Sequence, residues 1–175
     1  RRAGDVIPEV VGCVQSALGE GGGLMPRRPY VPNFRMPTHC PICGGDVVRE
    51  KHQKNYRCTA GLFCPAQRKE AIWHFAKRGA MDIDGLGDEI IDALVDSGKV
   101  NDPSDLYYLK KQDILGLKLR GGGSLQDLSS ENIINSIAKS KNPALGKFLF
   151  ALGILHVGEA TAKMLAKFYG NLSNF

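Results

Sequence analysis

The sequence predicts a multidomain, mainly α chain: a strand-rich start at the edge of a β domain, a small four-cysteine module, and short helices joined by glycine turns. Three observations carry that prediction. Asp5-Val6-Ile7-Pro8 and Val10-Val11 concentrate β-branched side chains within residues 1–18. Cys40-Pro41-Ile42-Cys43 is followed by Cys58 and Cys64, a pair of cysteine pairs. From Pro65 onward apolar residues recur at helical spacing, and glycine or proline marks the ends of each run.

Taken in order, residues 1–18 read as strand material, with Pro8 placing the strand at an edge or before a turn. Cys13, in Val10-Val11-Gly12-Cys13-Val14, is expected to be a buried, inert thiol. Residues 19–36 are a linker: Gly19, Gly21, Gly22, Gly23, Pro26, Pro29 and Pro32 favour no regular structure. Residues 37–64 hold the cysteine module. A helix starts at Pro65 with Ile72, Phe75, Ala76 and Gly79 on one stripe; Trp73 lies beside it, placed to pack on the cysteine knuckles. Asp88–Ser97 is a second helix, stopped by Gly98. Asp102-Pro103 is a helix cap followed by a first-turn proline. Residues 129–141, 144–152 and 159–169 are further helices.

The 175 residues are 43% hydrophobic and 23% charged, and no run reaches the roughly 18 apolar residues of a membrane span. Arg1-Arg2-Ala3-Gly4-Asp5 leads into no apolar segment, so this start is not expected to be a signal peptide. The lack of an initiating methionine and of a finishing element at Phe175 leads to the expectation of a piece of a longer protein. Charge is uneven. Residues 37–80 hold eight Lys/Arg against three acids, residues 1–36 five against three, and residues 81–175 ten against twelve. The cysteine-bearing stretch is therefore the attractor for a polyanion, unless its cations merely form a solvated face.

Five cysteines without an export signal point to a reducing, cytoplasmic compartment, where thiolates bind metal. Two residues separate Cys40 from Cys43, and five separate Cys58 from Cys64. This is zinc-ribbon spacing, since a Cys-x-x-Cys knuckle sets two sulfurs on one ion from one turn. Gly44 and Gly61 relieve the two turns. Four cysteines leave no open coordination position, so Zn²⁺ at Cys40, Cys43, Cys58 and Cys64 would be structural, and His39 is not needed as a ligand. Disulfides or free thiols are the competing readings.

A second constellation is repeated. Gly85-Leu86-Gly87 is followed by Ile90, Ile91 and Leu94; His156-Val157-Gly158 is followed at the same offsets by Thr161, Ala162 and Leu165. A degenerate middle copy, Ser124-Leu125-Gln126, rests on offsets alone. Such helix–hairpin–helix units expose backbone amides at a helix start, and these can hydrogen-bond a phosphate. The expected DNA contacts are Gly85, Leu86, Gly87 and Asp88 in the first copy and Val157, Gly158, Glu159 and Lys163 in the last. A lone Gly-x-Gly is often no more than a helix cap; two copies beside a basic module say more. Arg120-Gly121-Gly122-Gly123-Ser124 lacks the ending of a P-loop and reads as a flexible insertion.

The order of these blocks closely resembles the bacterial NAD-dependent DNA ligases: Arg2-Ala3-Gly4-Asp5-Val6-Ile7-Pro8, then Pro37-Thr38-His39-Cys40-Pro41-Ile42-Cys43-Gly44, Cys64-Pro65-Ala66-Gln67, Ala80-Met81-Asp82-Ile83-Asp84-Gly85-Leu86-Gly87 and Ala151-Leu152-Gly153-Ile154. The resemblance implies that residues 1–18 end an oligonucleotide-binding (OB) β-barrel, 37–64 form the four-cysteine zinc finger, and 65–175 belong to the helix–hairpin–helix domain. It implies a monomeric cytoplasmic, nucleoid-associated enzyme that encircles nicked duplex DNA. AMP would pass from NAD to a lysine and then to the nick, with Mg²⁺ assisting. The family's Lys-x-Asp-Gly motif is not met, because Asp82 precedes Asp84-Gly85 where lysine would stand. No residue here is expected to be catalytic or to bind NAD, and the segment alone should be inactive. The alternatives are a non-catalytic DNA-binding module of another repair or recombination protein, and a protein–protein scaffold.

Overall fold

A computed structural model of the chain describes residues 2–3, 7–8, 35–51 and 54–174. The chain divides into two units, Arg1–Arg35 and Met36–Phe175. In the first, β1 (Arg2–Ala3) pairs antiparallel with β2 (Ile7–Pro8), with Arg2 opposite Pro8 and Ala3 opposite Ile7. Val10-Val11, Cys13 and the linker up to residue 34 lie outside the described residues.

The second unit is mainly helical. Its only strands among the described residues are β3 (Val47–Val48) and β4 (Arg57–Cys58), an antiparallel pair carrying the cysteine module. Then come α1 (Pro65–Ala76), α2 (Asp88–Asp96), a 3-10 helix (Pro103–Tyr108), α3 (Lys111–Ile114), α4 (Asp127–Lys139), α5 (Leu145–Ala151) and α6 (Glu159–Tyr169). Pro65 occupies the first turn of α1, where its missing N–H has no helical partner to lose. Gly98 follows α2 at φ +71°, the left-handed residue that closes a helix.

The expected stripe of α1 is buried: Ile72, Phe75 and Ala76 meet Ile91, Leu94 and Val95 of α2, Leu106, Ile114, and Ile133 and Ile137 of α4 in one apolar cluster. Trp73 departs from expectation. It lines a surface groove with Lys69, Asp88 and Ile91, between α1 and α2, and Lys77 Nζ lies 5.5 Å from the centre of its ring.

Asp102 caps the 3-10 helix, accepting from the Ser104 amide at 2.7 Å and the Asp105 amide at 3.3 Å, while Asp105 accepts from the Asp102 amide in return. The Ser104 hydroxyl bond, with both amides, holds the Asp102 carboxyl below its ordinary pKa against the opposing effect of burial. Replacing Asp102 by alanine is expected to cost about 1 kcal/mol in urea unfolding. The difference from the parent should shrink as pH falls through the depressed pKa, because protonation removes the carboxylate that the cap uses.

Candidate functional site

The four cysteines come from two turns built alike. In the first, the Cys40 amide donates to the Gly45 carbonyl at 2.7 Å and the Gly44 amide to the Cys40 carbonyl at 2.8 Å. In both turns an amide two residues on points at sulfur: Gly45 to Cys43 Sγ at 3.4 Å, and Ala60 to Cys58 Sγ at 3.5 Å. Gly44 and Gly61 sit at φ +73° and +53°, so the two expected relief positions are the left-handed ones. Gly45 was not legible as a packing residue. A Cβ there would lie 3.2 Å from Ala60 Cβ and 3.4 Å from Cys43 Sγ, so one turn rests on the other at that point. Cys64 is the residue before α1, and its carbonyl accepts the Arg68 amide at 2.9 Å.

All four sulfurs lie within 4.8 Å of one another, with Cys43–Cys58 at 3.5 Å and Cys40–Cys64 at 4.0 Å. Ligands about 2.3 Å from a tetrahedral Zn²⁺ stand about 3.8 Å apart, so the set fits that ion. His39 stays outside it, with Nε2 3.6 Å from Asp46 Oδ1.

The thiols themselves call for a cation. Cys40 is drawn down to about 7, chiefly by the Cys43 amide and then the Ile42 amide. Cys43 moves the other way, to about 12: the Gly45 amide favours its thiolate, but the Cys58 sulfur, burial and the other two thiols outweigh that amide. Four thiols this close cannot all ionise unless a positive ion takes up their charge. Beyond backbone bonds and a two-residue strand pair, the module has no apolar core of its own among the described residues. Among its described residues from His39 to Phe63, none is buried; only Cys64, at 1% exposure, belongs to an interior. Gln67 Nε2 donates to the Cys58 carbonyl at 3.0 Å, and Arg68 reaches both the Leu62 carbonyl and Asn101 Oδ1, tying the module to the helices.

The hairpins follow one backbone plan. The residue before α2, Gly87, has φ −81° and ψ 172°; before α4, Gln126 has −86° and 167°; before α6, Gly158 has −80° and 176°. Each is preceded by an inward apolar residue: Leu86 and Leu125 are buried and Val157 half-buried. The middle copy, suggested by offsets alone, therefore shares the helix start of the other two. What it lacks is their turn. Gly85 and His156 have φ of +86° and +66°, while Ser124 is bridged to Lys118 in an antiparallel pair. Across that pair the glycine run is held as a tight turn, Leu119 N to Gly123 O at 2.8 Å and Gly122 N to Leu119 O at 3.1 Å, in place of the loose insertion expected.

At the first start, the amides of Gly87, Asp88 and Glu89 precede the first helical bond, and the Gly87 carbonyl takes the amides of Ile90 and Ile91. No side chain caps α2, and none caps α6. Lys163 is not a spare cation: its Nζ lies 2.6 Å from Glu159 Oε1, one turn back on α6. Further cations are also answered within the protein. Lys69 lies 2.6 Å from Asp96 and 3.4 Å from Asp92, and Arg120 bonds the same two acids at 3.5 and 2.7 Å. Lys111 spans Asp127 and Glu131.

Residues 39–66 match the family model of the NAD-dependent DNA ligase C4 zinc finger domain. Residues 147–175 match that of the helix-hairpin-helix motif. The first match and the four-cysteine cluster support zinc as the ion; the second suggests DNA binding. Together they support a fragment of an NAD-dependent DNA ligase. Among the described residues no helix is long and apolar enough to cross a membrane.

Proposed function

We propose that this chain is the part of an NAD-dependent DNA ligase that grips nicked duplex DNA without regard to sequence. Residues 1–18 would end an OB barrel, 19–36 link it onward, 37–64 form the zinc finger, and 65–175 supply the helix–hairpin–helix units. Cys40, Cys43, Cys58 and Cys64 would hold Zn²⁺ in a closed, structural site. Gly85, Leu86, Gly87 and Asp88, with Val157, Gly158, Glu159 and Lys163, would form the first and last phosphate grips. The observation that carries the reading is the recurrence of one helix-start geometry behind a zinc module.

The mechanism is positional. An amide cluster at a helix start can donate to a phosphate oxygen while the helix dipole favours the negative charge. Such contacts read the backbone and not the base edges. Leu86 and Leu125, seated in the core, fix where the amides face. In the whole enzyme, NAD and Mg²⁺ would serve the adenylation and sealing chemistry on residues that this segment does not include. Its own help to the rate would be orientation of the nick. The segment alone would be a monomeric, cytoplasmic, nucleoid-associated DNA binder with no ligase activity.

Fluorescence anisotropy with a labelled nicked duplex at rising salt tests this. Binding should weaken log-linearly with salt, because each phosphate contact releases counterions. It should be indifferent to base sequence and tighter than to an intact duplex. No binding at low salt would remove the proposal.

A further inference from the structure

Lys69, Arg120 and Lys111 each share two carboxylates, but among the described residues one group of three cations lines a groove with a single carboxylate. A groove of about 400 Å³ is lined by Arg78, Gly79, Gly146, Lys147, Glu159 and Lys163. Three cations face it, and one carboxylate lines it. That carboxylate is engaged by Lys163 at 2.6 Å, and Lys147 has only Asp82 at a loose 3.8 Å. Arg78 is exposed and has no ion-pair or hydrogen-bond partner among the described residues.

The groove's shape comes from its glycines. A Cβ on Gly146 would stand 3.3 Å from the Lys163 backbone, so α5 and α6 touch closely there and bring Lys147 and Lys163 to one side. A Cβ on Gly79 would meet the Phe150 ring at 3.5 Å. Three cations against one carboxylate leave the lining with a net charge of +2, which a further anion would offset. An unpaired guanidinium and a loosely paired ammonium lining one groove suit a phosphate, the first as a bidentate donor and the second as a point charge.

We infer that this groove seats a phosphodiester of the bound duplex, held by the side chains of Arg78 and Lys147 beside the Lys163–Glu159 pair. It is a contact separate from the hairpin amides. The inference rests on the duplex-binding reading above and adds a site to it. Arg78 lies between α1 and the first hairpin, Lys147 on α5 and Lys163 on α6. One seated phosphate would therefore fix the first and third units against a common stretch of strand.

The test uses the whole zinc-loaded chain and a labelled nicked duplex, with affinity measured over a range of salt. Arg78→Ala/Lys147→Ala is expected to bind about tenfold more weakly at low salt, and its plot of log affinity against log salt should be shallower by about two. Arg78→Ala alone, which has no partner to lose, should flatten the slope by about one without moving the melting temperature. Glu159→Gln should tighten binding about two- to fivefold by removing the carboxylate that competes with phosphate. If the parent binds and Gly87→Val weakens it while the Arg78 variants keep the parent's affinity and slope, the groove is not a phosphate seat and the hairpin reading stands. If the parent binds no duplex, both are overturned.

Discussion

Cys58→Ser is expected to lose zinc and unfold the module while leaving most of the helical unit folded. The two parts differ in what holds them. The helices close on a shared core of Ile72, Leu94, Leu106, Ile114 and Ile133, each at most 2% exposed. The module has two-residue strands and buries no residue between His39 and Phe63 among those described. Its order must come from the metal, and in small structural zinc sites binding free energy of about 10–16 kcal/mol is the folding free energy. Serine keeps the shape of the side chain but cannot replace a thiolate at the fourth corner. Metal analysis should show well under one zinc per chain. Segment-resolved hydrogen exchange should show residues 39–63 unprotected, with α2 and α4 nearly unchanged. Full stoichiometric zinc in this variant would remove Cys58 from the ligand set.

Gly85 and Gly87 are expected to respond to substitution in opposite ways, although they stand two residues apart in one motif. Gly85 has φ +86°, and a Cβ there would come within 2.9 Å of Ile133 Cγ1. Gly85→Ala thus meets both a backbone penalty and a core side chain, and should destabilise the unit by about 2 kcal/mol. Gly87 lies at φ −81° with nothing within 4 Å of its Cβ position. Gly87→Val should fold with little change in melting temperature, since the added methyls project into open space. On the proposed reading it should nonetheless weaken duplex binding about tenfold, because that space would be the approach of phosphate to the amides. Paired thermal melts and anisotropy titrations separate the two. A Gly87→Val protein that bound like the parent would show that this helix start holds no phosphate.

The division between those glycines marks what could be read from the sequence. The cysteine spacing was legible because metal ligands must lie in short turns, and each turn writes its geometry in two or three neighbours. Helix starts were legible for the same reason: Pro65, Gly87, Asp102-Pro103 and Gly158 act locally. The partner of Gly85 was not, since Ile133 arrives from α4, far along the chain. The bridging of Lys69 and Arg120 through Asp92 and Asp96 was equally hidden; it depends on the turn at Gly121–Gly123 folding back towards α2. Bulk charge misled on this point, because it counted Lys69 as free for a polyanion. In the middle hairpin the composition concealed a helix start that the backbone preserves, as Gln126 adopts angles that any residue can take.

Cys64 joins two roles that are usually separate, since it offers sulfur to the cluster and opens α1. The axis of the first helix is already held by Ile72, Phe75 and Ala76 in the core, so a bound ion would have to fit its fourth donor to a fixed post. An ion with tetrahedral taste would meet that demand, whereas one that prefers its donors in a plane would have to pull the knuckles out of register or forgo Cys64. The choice of element would thus decide whether the cysteine module docks on the helices, and not where the first hairpin points.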